Sequence, residues 1–150
     1  RRCAVDDLVN KVIEDLDNID GIVVGTPGYY AGPSGRIKSF LDRLFYAGGG
    51  KMKRKLGSAV VSCRRGGAAS AFDEVNKYFT KSNMPVISSH YWNQVHGNTP
   101  EEVLQDAEGM QSMRYIGENM AWLLKCIKAG EEAGVPLPAY EKNIFTNFIR

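Results

Sequence analysis

The chain has 150 residues, enough for one domain with one core. Hydrophobic residues at 43%, charged residues at 24% and a net charge of +2 exclude a disordered segment, and they give no sign of a nucleic-acid or membrane-surface binder. Cys3, Cys63 and Cys126 are odd in number and dispersed, which predicts a reducing compartment, the cytoplasm by default, and no disulfide framework.

No signal peptide is recognisable, and no apolar stretch approaches the ~18 residues of a membrane span. The chain opens on Arg1-Arg2-Cys3 without an initiator methionine, so residues are expected upstream. Val5, Leu8, Val9, Val12, Ile13 and Leu16 recur at helical spacing and predict an amphipathic helix. Asn18 to Gly21 ends it, and the apolar run to Val24 reads as a buried strand of a parallel sheet.

A Gly/Pro-rich stretch follows from Gly25 to Arg36, with Tyr29 and Tyr30 side by side. Ile37, Phe40, Leu41, Leu44 and Phe45 then mark a half-buried helix. A loop of this kind at the carboxyl end of a strand lies where open α/β sheets place their ligands. Tyr46 to Lys55, with three successive glycines and four basic residues, reads as a solvated loop. It lacks the strand, Gly-Lys-Ser/Thr and helix order of a phosphate loop.

Leu56 to Cys63 reads as a second buried strand, turning through Arg64-Arg65-Gly66-Gly67 into a helix marked by Phe72, Val75 and Phe79. Met84 to Ser88 is predicted as a third, short strand, continued by an aromatic loop at His90-Tyr91-Trp92. Thr99, Pro100 and Glu102 form a capping-box start, from which one stripe, Val103 to Ile127, carries a single helix to about Gly130. Val135-Pro136-Leu137-Pro138 ends regular structure before a tail bearing Phe145 and Phe148, which would dock on this subunit or on another. The resulting order α, β, α, β, α, β, α is that of a doubly wound α/β sheet entered part-way through, and three parallel strands alone would leave the first with an open edge.

The chemistry-bearing residues concentrate in the two strand-end loops. His90 and His96 are the only histidines and neither stands at ligand spacing from a cysteine, so no metal site is expected. Cys63, at the end of an apolar strand, reads as a buried inert thiol. Arg64 to Gly67 offer backbone amides, a helix amino terminus and two fixed positive charges, suited to an anionic or electron-rich edge. Tyr29 and Tyr30 offer flat amphipathic surface. Together they suit a planar aromatic cofactor with polar edges. The same residues would equally serve as plain turns and as cover for the sheet end.

Gly25 through Arg43, with Thr-Pro-x-Tyr, a small-residue turn and a helix ending Phe-Leu-Asp-Arg, resembles the second flavin-contacting segment of the flavodoxin-like NADPH-dependent FMN reductase family. The likeness continues through Ser62 to Gly67, that family's third flavin loop, and Tyr91-Trp92-Asn93 to the final helix. It implies a flavodoxin-like doubly wound parallel sheet with helices on both faces, partial at the amino terminus, where the family's first strand and Ser/Thr-rich phosphate loop are not represented. It further implies that Thr26, Pro27, Tyr29, Tyr30, Ala31 and Gly32 lie along the isoalloxazine ring of FMN, with Arg64, Arg65, Gly66 and Gly67 at its pyrimidine edge.

The expected activity is transfer of electrons from NAD(P)H through FMN to a small acceptor such as a quinone, nitro compound or flavin, with no protein acid or base assigned. The alternatives are a flavodoxin-type electron carrier and a structural domain without flavin. Some relatives, the iron-sulfur flavoproteins, carry a compact cysteine cluster upstream, of which Cys3 would be the last member. The family resemblance also implies a homodimer or homotetramer, to which Tyr91, Trp92 and the aromatic tail are suited.

Overall fold

In the computed structural model, which describes residues 2–148, four strands form one sheet in the order β2-β1-β3-β4. The strands are β1 (Gly21–Tyr29), β2 (Gly32–Pro33), β3 (Leu56–Cys63) and β4 (Gln94–His96). β1, β3 and β4 are parallel, in a register that sets Gly21 beside Leu56, Pro27 beside Ser62 and Cys63 beside His96. β2 alone is antiparallel, folding back on the end of β1. Between Gly21 and Pro27 the other edge of β1 pairs with no strand among the described residues.

Helices α1 (Leu8–Asp15), α2 (Gly35–Gly48) and α3 (Ala68–Lys81) cover one face of this sheet. Their core joins Val9, Ile13, Leu16, Leu41, Leu44, Val75 and Phe79 to Val24 and Ala59 of the strands. The opposite face is covered by α5 (Ala107–Glu132), whose Met113, Ile116 and Met120 pack on Leu56 and Val60. The alternation of β3 produces this division: Gly57, Ala59, Val61 and Cys63 face α3, while Leu56, Ser58 and Val60 face α5. At Gly57 the approach leaves no room for a side chain, since a Cβ there would fall 2.6 Å from Cγ of Phe79.

The doubly wound α/β architecture is therefore the one the sequence predicts, with four local corrections. The first helix begins at Leu8, where the Asp7 carboxylate accepts the Val9 amide at 3.0 Å; Val5 lies outside it and Leu8 is exposed. The basic glycine passage is not one solvated loop. α2 runs through Tyr46 to Gly48, a 3-10 turn continues to Lys51, and Met52 is wholly buried, because the helix retains a core-facing side even where glycines replace it.

Met84 to Ser88 forms a single bridge, Gly57 to Val86, and the regular strand comes later, at Gln94–His96. Asn93 explains the delay. Its buried amide donates to Ser58 Oγ and to the carbonyl oxygens of Ala59 and Ile87, which pins the bulging segment 88–93 before pairing resumes.

The long terminal helix is also two elements, α4 (Pro100–Gln105) and α5. Thr99 caps α4 through the Glu102 amide as expected, but the Glu102 carboxylate reaches the Asn98 amide. Asp106, at ψ 81, breaks the helix and caps the next one.

Candidate functional site

The carboxyl ends of β1, β3 and β4 lie together at one end of the sheet, and both loops singled out in the sequence are there. β1 continues as a strand through Pro27 to Tyr29, so the turn is shorter than its glycines and prolines suggest. Gly28 pairs with Pro33 and Tyr29 with Gly32 around a tip made of Tyr30 and Ala31. Both tip residues take positive φ, 50° and 59°, the backbone form of the tight hairpin turns that glycine and asparagine usually occupy. Tyr30 is fully exposed at that tip, and Tyr29 is exposed beside it.

Thr26 is placed differently from its neighbours. It is buried, its hydroxyl accepts the Ser34 amide at 2.9 Å and donates to the Pro27 carbonyl at 3.0 Å. Thr26 thus ties the base of the hairpin to the start of α2, where Ser34 Oγ in turn caps the helix through the Ile37 amide. Its hydroxyl shapes the loop from beneath, while Pro27, Tyr29, Tyr30 and Ala31 are exposed.

The second loop leaves β3 at Cys63, which is buried against α3, and passes through the exposed Arg64, Arg65 and Gly66. Gly67 follows at φ +88°, and a Cβ on it would lie 2.8 Å from the Ala31 Cα. The two loops therefore touch, Gly67 against Ala31. Gly67 is also the N-cap residue of α3 and contributes no side-chain cap, so the first amides of the helix face the sheet end without a side-chain acceptor. Among the described residues no ion pair engages Arg64 or Arg65. The result is an open shelf with an aromatic hairpin on one side, and amides and guanidinium groups on the other.

One arrangement at this end has no counterpart in the sequence reading. The Asp106 carboxylate accepts the His96 amide at 2.7 Å and the Gly109 amide at 2.9 Å, and lies 3.6 Å from the His96 imidazole. Burial works to raise its pKa, yet the two amides and the nearby imidazole outweigh this and hold the carboxyl below its usual range. Asp106 thereby fastens the end of β4 to the start of α5. Asp followed by Gly three residues later is the signal that marks it. Among the described residues no three histidines, cysteines or acids are grouped to hold a metal ion, so no metal or iron-sulfur site is built from them. No helix among the described residues is long and apolar enough to cross a membrane.

This fold, with its strand-end shelf, defines a flavodoxin-like α/β protein. Comparison with known proteins places it further: residues 1–99 match the model of the NADPH-dependent FMN reductase family, and the chain belongs to that family. It is 27% identical over 135 residues to an iron-sulfur flavoprotein of Methanocaldococcus jannaschii, a match covering 85% of this chain and 70% of the relative. It is 29% identical over 99 residues to an NAD(P)H dehydrogenase (quinone) of Acidithiobacillus ferrooxidans, covering 58% of this chain and 48% of that one. Among solved structures, the flavodoxin, WrbA-like protein from Agrobacterium tumefaciens superposes with a TM-score of 0.56 at 20% identity, covering 71% of this chain and 69% of the other.

Proposed function

We propose that the shelf seats the isoalloxazine ring of FMN, and that the protein passes electrons from NAD(P)H to a small acceptor of the quinone, nitro or flavin class. The observation that carries this reading is the contact of Gly67 with Ala31, which makes one surface of two loops that are 36 residues apart in sequence, 67 minus 31. Family membership and the quinone-dehydrogenase relative support the reaction class.

The residues present fit the ring. Pro27, Tyr29, Tyr30 and Ala31 are exposed beside the half-buried Gly32, so proline and tyrosine side chains are within reach of an aromatic ring laid on the hairpin. Gly66 leaves open space where a side chain would stand, so backbone amides are reachable by a planar edge. Arg64 and Arg65, with the uncapped start of α3, supply fixed positive potential for an edge that gains electrons. Bound FMN would supply the hydride-accepting chemistry; the chain supplies position and electrostatics. Thr26 acts indirectly, by holding the hairpin.

The test is anaerobic. The purified chain is mixed with FMN and then with NADH or NADPH. Bleaching of the flavin absorbance, followed by its return on adding a quinone, supports the proposal. Bound flavin that neither nicotinamide reduces would leave the electron-carrier alternative, and absence of any bound flavin would remove both.

A further inference from the structure

An open groove of about 1210 Å3 lies between α2 and α3, and its charges are sorted along its length. Both helices run away from the strand ends, so position in sequence gives position along the groove. Asp42, Asp73 and Glu74 line the half nearer the strand ends, and two of them are engaged: the Asp42 carboxylate accepts the Tyr78 hydroxyl, and Glu74 pairs with Lys38. Lys53, Lys77 and Lys81 line the other half.

Lys77 and Lys81 stand one turn apart on α3, ~6 Å along its axis, and Lys81 is ~12 Å beyond Asp73 on the same scale. Both lysines are exposed, and among the described residues no ion pair engages either. On the facing wall Tyr46 is 87% exposed and pairs with no other described ring, while Gly49 and Gly50 after it present no side chain. The Lys53 ammonium sits 3.6 Å from the centroid of the Tyr140 ring, which brings the chain after α5 to this end of the groove. Unopposed ammonium groups facing an open aromatic ring suit a ligand that is both phosphorylated and flat.

We propose that this half of the groove binds a nucleoside diphosphate, at a site separate from the ring seat at the strand ends. The two phosphates meet Lys77 and Lys81, with Lys53 on the opposite wall, and the base stacks on Tyr46. Asp73, without an ion pair among the described residues, repels the phosphates from the acidic half and so fixes the direction in which the ligand lies. Tyr140 closes the end of the site through its contact with Lys53.

Calorimetric titration of the full chain with ADP reads the outcome. Saturable one-to-one binding is expected, with a dissociation constant raised at least about tenfold in Lys77→Gln/Lys81→Gln and likewise in Tyr46→Ala. Adenosine and pyrophosphate, which each carry part of the ligand, should both bind at least about tenfold more weakly than ADP. The substituted side chains are exposed, and circular dichroism confirms that each variant folds. Lumiflavin, directed to the shelf, should leave the ADP affinity unchanged, so failure here and failure of the flavin reading are separately visible. No heat at millimolar ADP, equal affinity in the wild type and either variant, or pyrophosphate bound as tightly as ADP would overturn the proposal. Displacement of ADP by lumiflavin, or its loss in Arg64→Gln/Arg65→Gln, would do the same by moving the ligand to the shelf.

Discussion

Gly67 rests on Ala31 so closely that a Cβ on the glycine would fall 2.8 Å from the alanine Cα, and Gly67 is at φ +88°. Crowding and conformation act in the same direction at this position. Gly67→Ala should cost about 1–3 kcal/mol in urea-induced unfolding and should weaken flavin binding. The flavin-binding loss should persist at temperatures where the variant is fully folded, because the contact aligns the two loops as well as stabilising them. A neutral substitution would show that the loops are positioned independently.

Asp106 carries a second group of predictions. Asp106→Ala removes the cap of α5 and the acceptor of the His96 amide, at a cost of about 1–2 kcal/mol. Since its carboxyl titrates below the unfolded value of 3.8, the stabilisation is present above that value and is lost as pH falls through the lower folded one. Acid unfolding of the wild type and of Asp106→Asn should therefore differ at neutral pH and converge in strong acid. Curves that remain parallel throughout would remove this role.

Tyr78 gives the alkaline counterpart. Burial, and then its hydrogen bond to the Asp42 carboxylate, push the phenol well above its ordinary value of 10.0. A raised folded value means that its contribution is complete below pH 10 and disappears as pH climbs towards the folded value. Tyr78→Phe should flatten the alkaline limb of the stability profile and leave the neutral-pH activity nearly unchanged. Equal alkaline sensitivity in both proteins would contradict the assignment.

The Gly57–Phe79 contact tests the core beneath the site. Gly57→Ala forces a methyl to within 2.6 Å of the Phe79 ring, which is wholly buried, and should cost about 1–3 kcal/mol. Phe79→Leu should recover part of this loss in the double variant, a coupling that a two-by-two unfolding series measures.

The architecture was legible where periodicity and burial agree. The apolar run at Ala59-Val60-Val61 and the stripes of α2 and α3 each point to a partner face, whereas the run to Val24, which reads as a buried strand, is covered on one face only: Val24 is buried and Val23 is 51% exposed. It was illegible where tertiary contacts override local signals. Glycines at 48–50 read as loop, yet Gly48 closes α2 against the α1 side, where a Cβ would meet Leu16 Cδ1 at 3.0 Å. Asn93 reads as loop polarity, yet it is fully buried and sets where β4 begins. The two strand-end loops were recognised separately from glycine and charge. Their contact through Gly67 could not be read from spacing, because it depends on β1 and β3 being neighbours in register. The resemblance sets Thr26 along the ring with Pro27 and Tyr29, but its hydroxyl is buried beneath the hairpin with the Ser34 amide folded onto it, a contact that no local spacing signals.

The most direct measurement of the central claim is a fluorescence titration of the chain with FMN and, separately, with lumiflavin, which carries the ring alone. A ring seat between residues 27–32 and 64–67 predicts saturable quenching of both ligands, weakened about tenfold in a folded Gly67→Val chain. Quenching of neither ligand by the wild type, or equal quenching by the wild type and the folded variant, would contradict it.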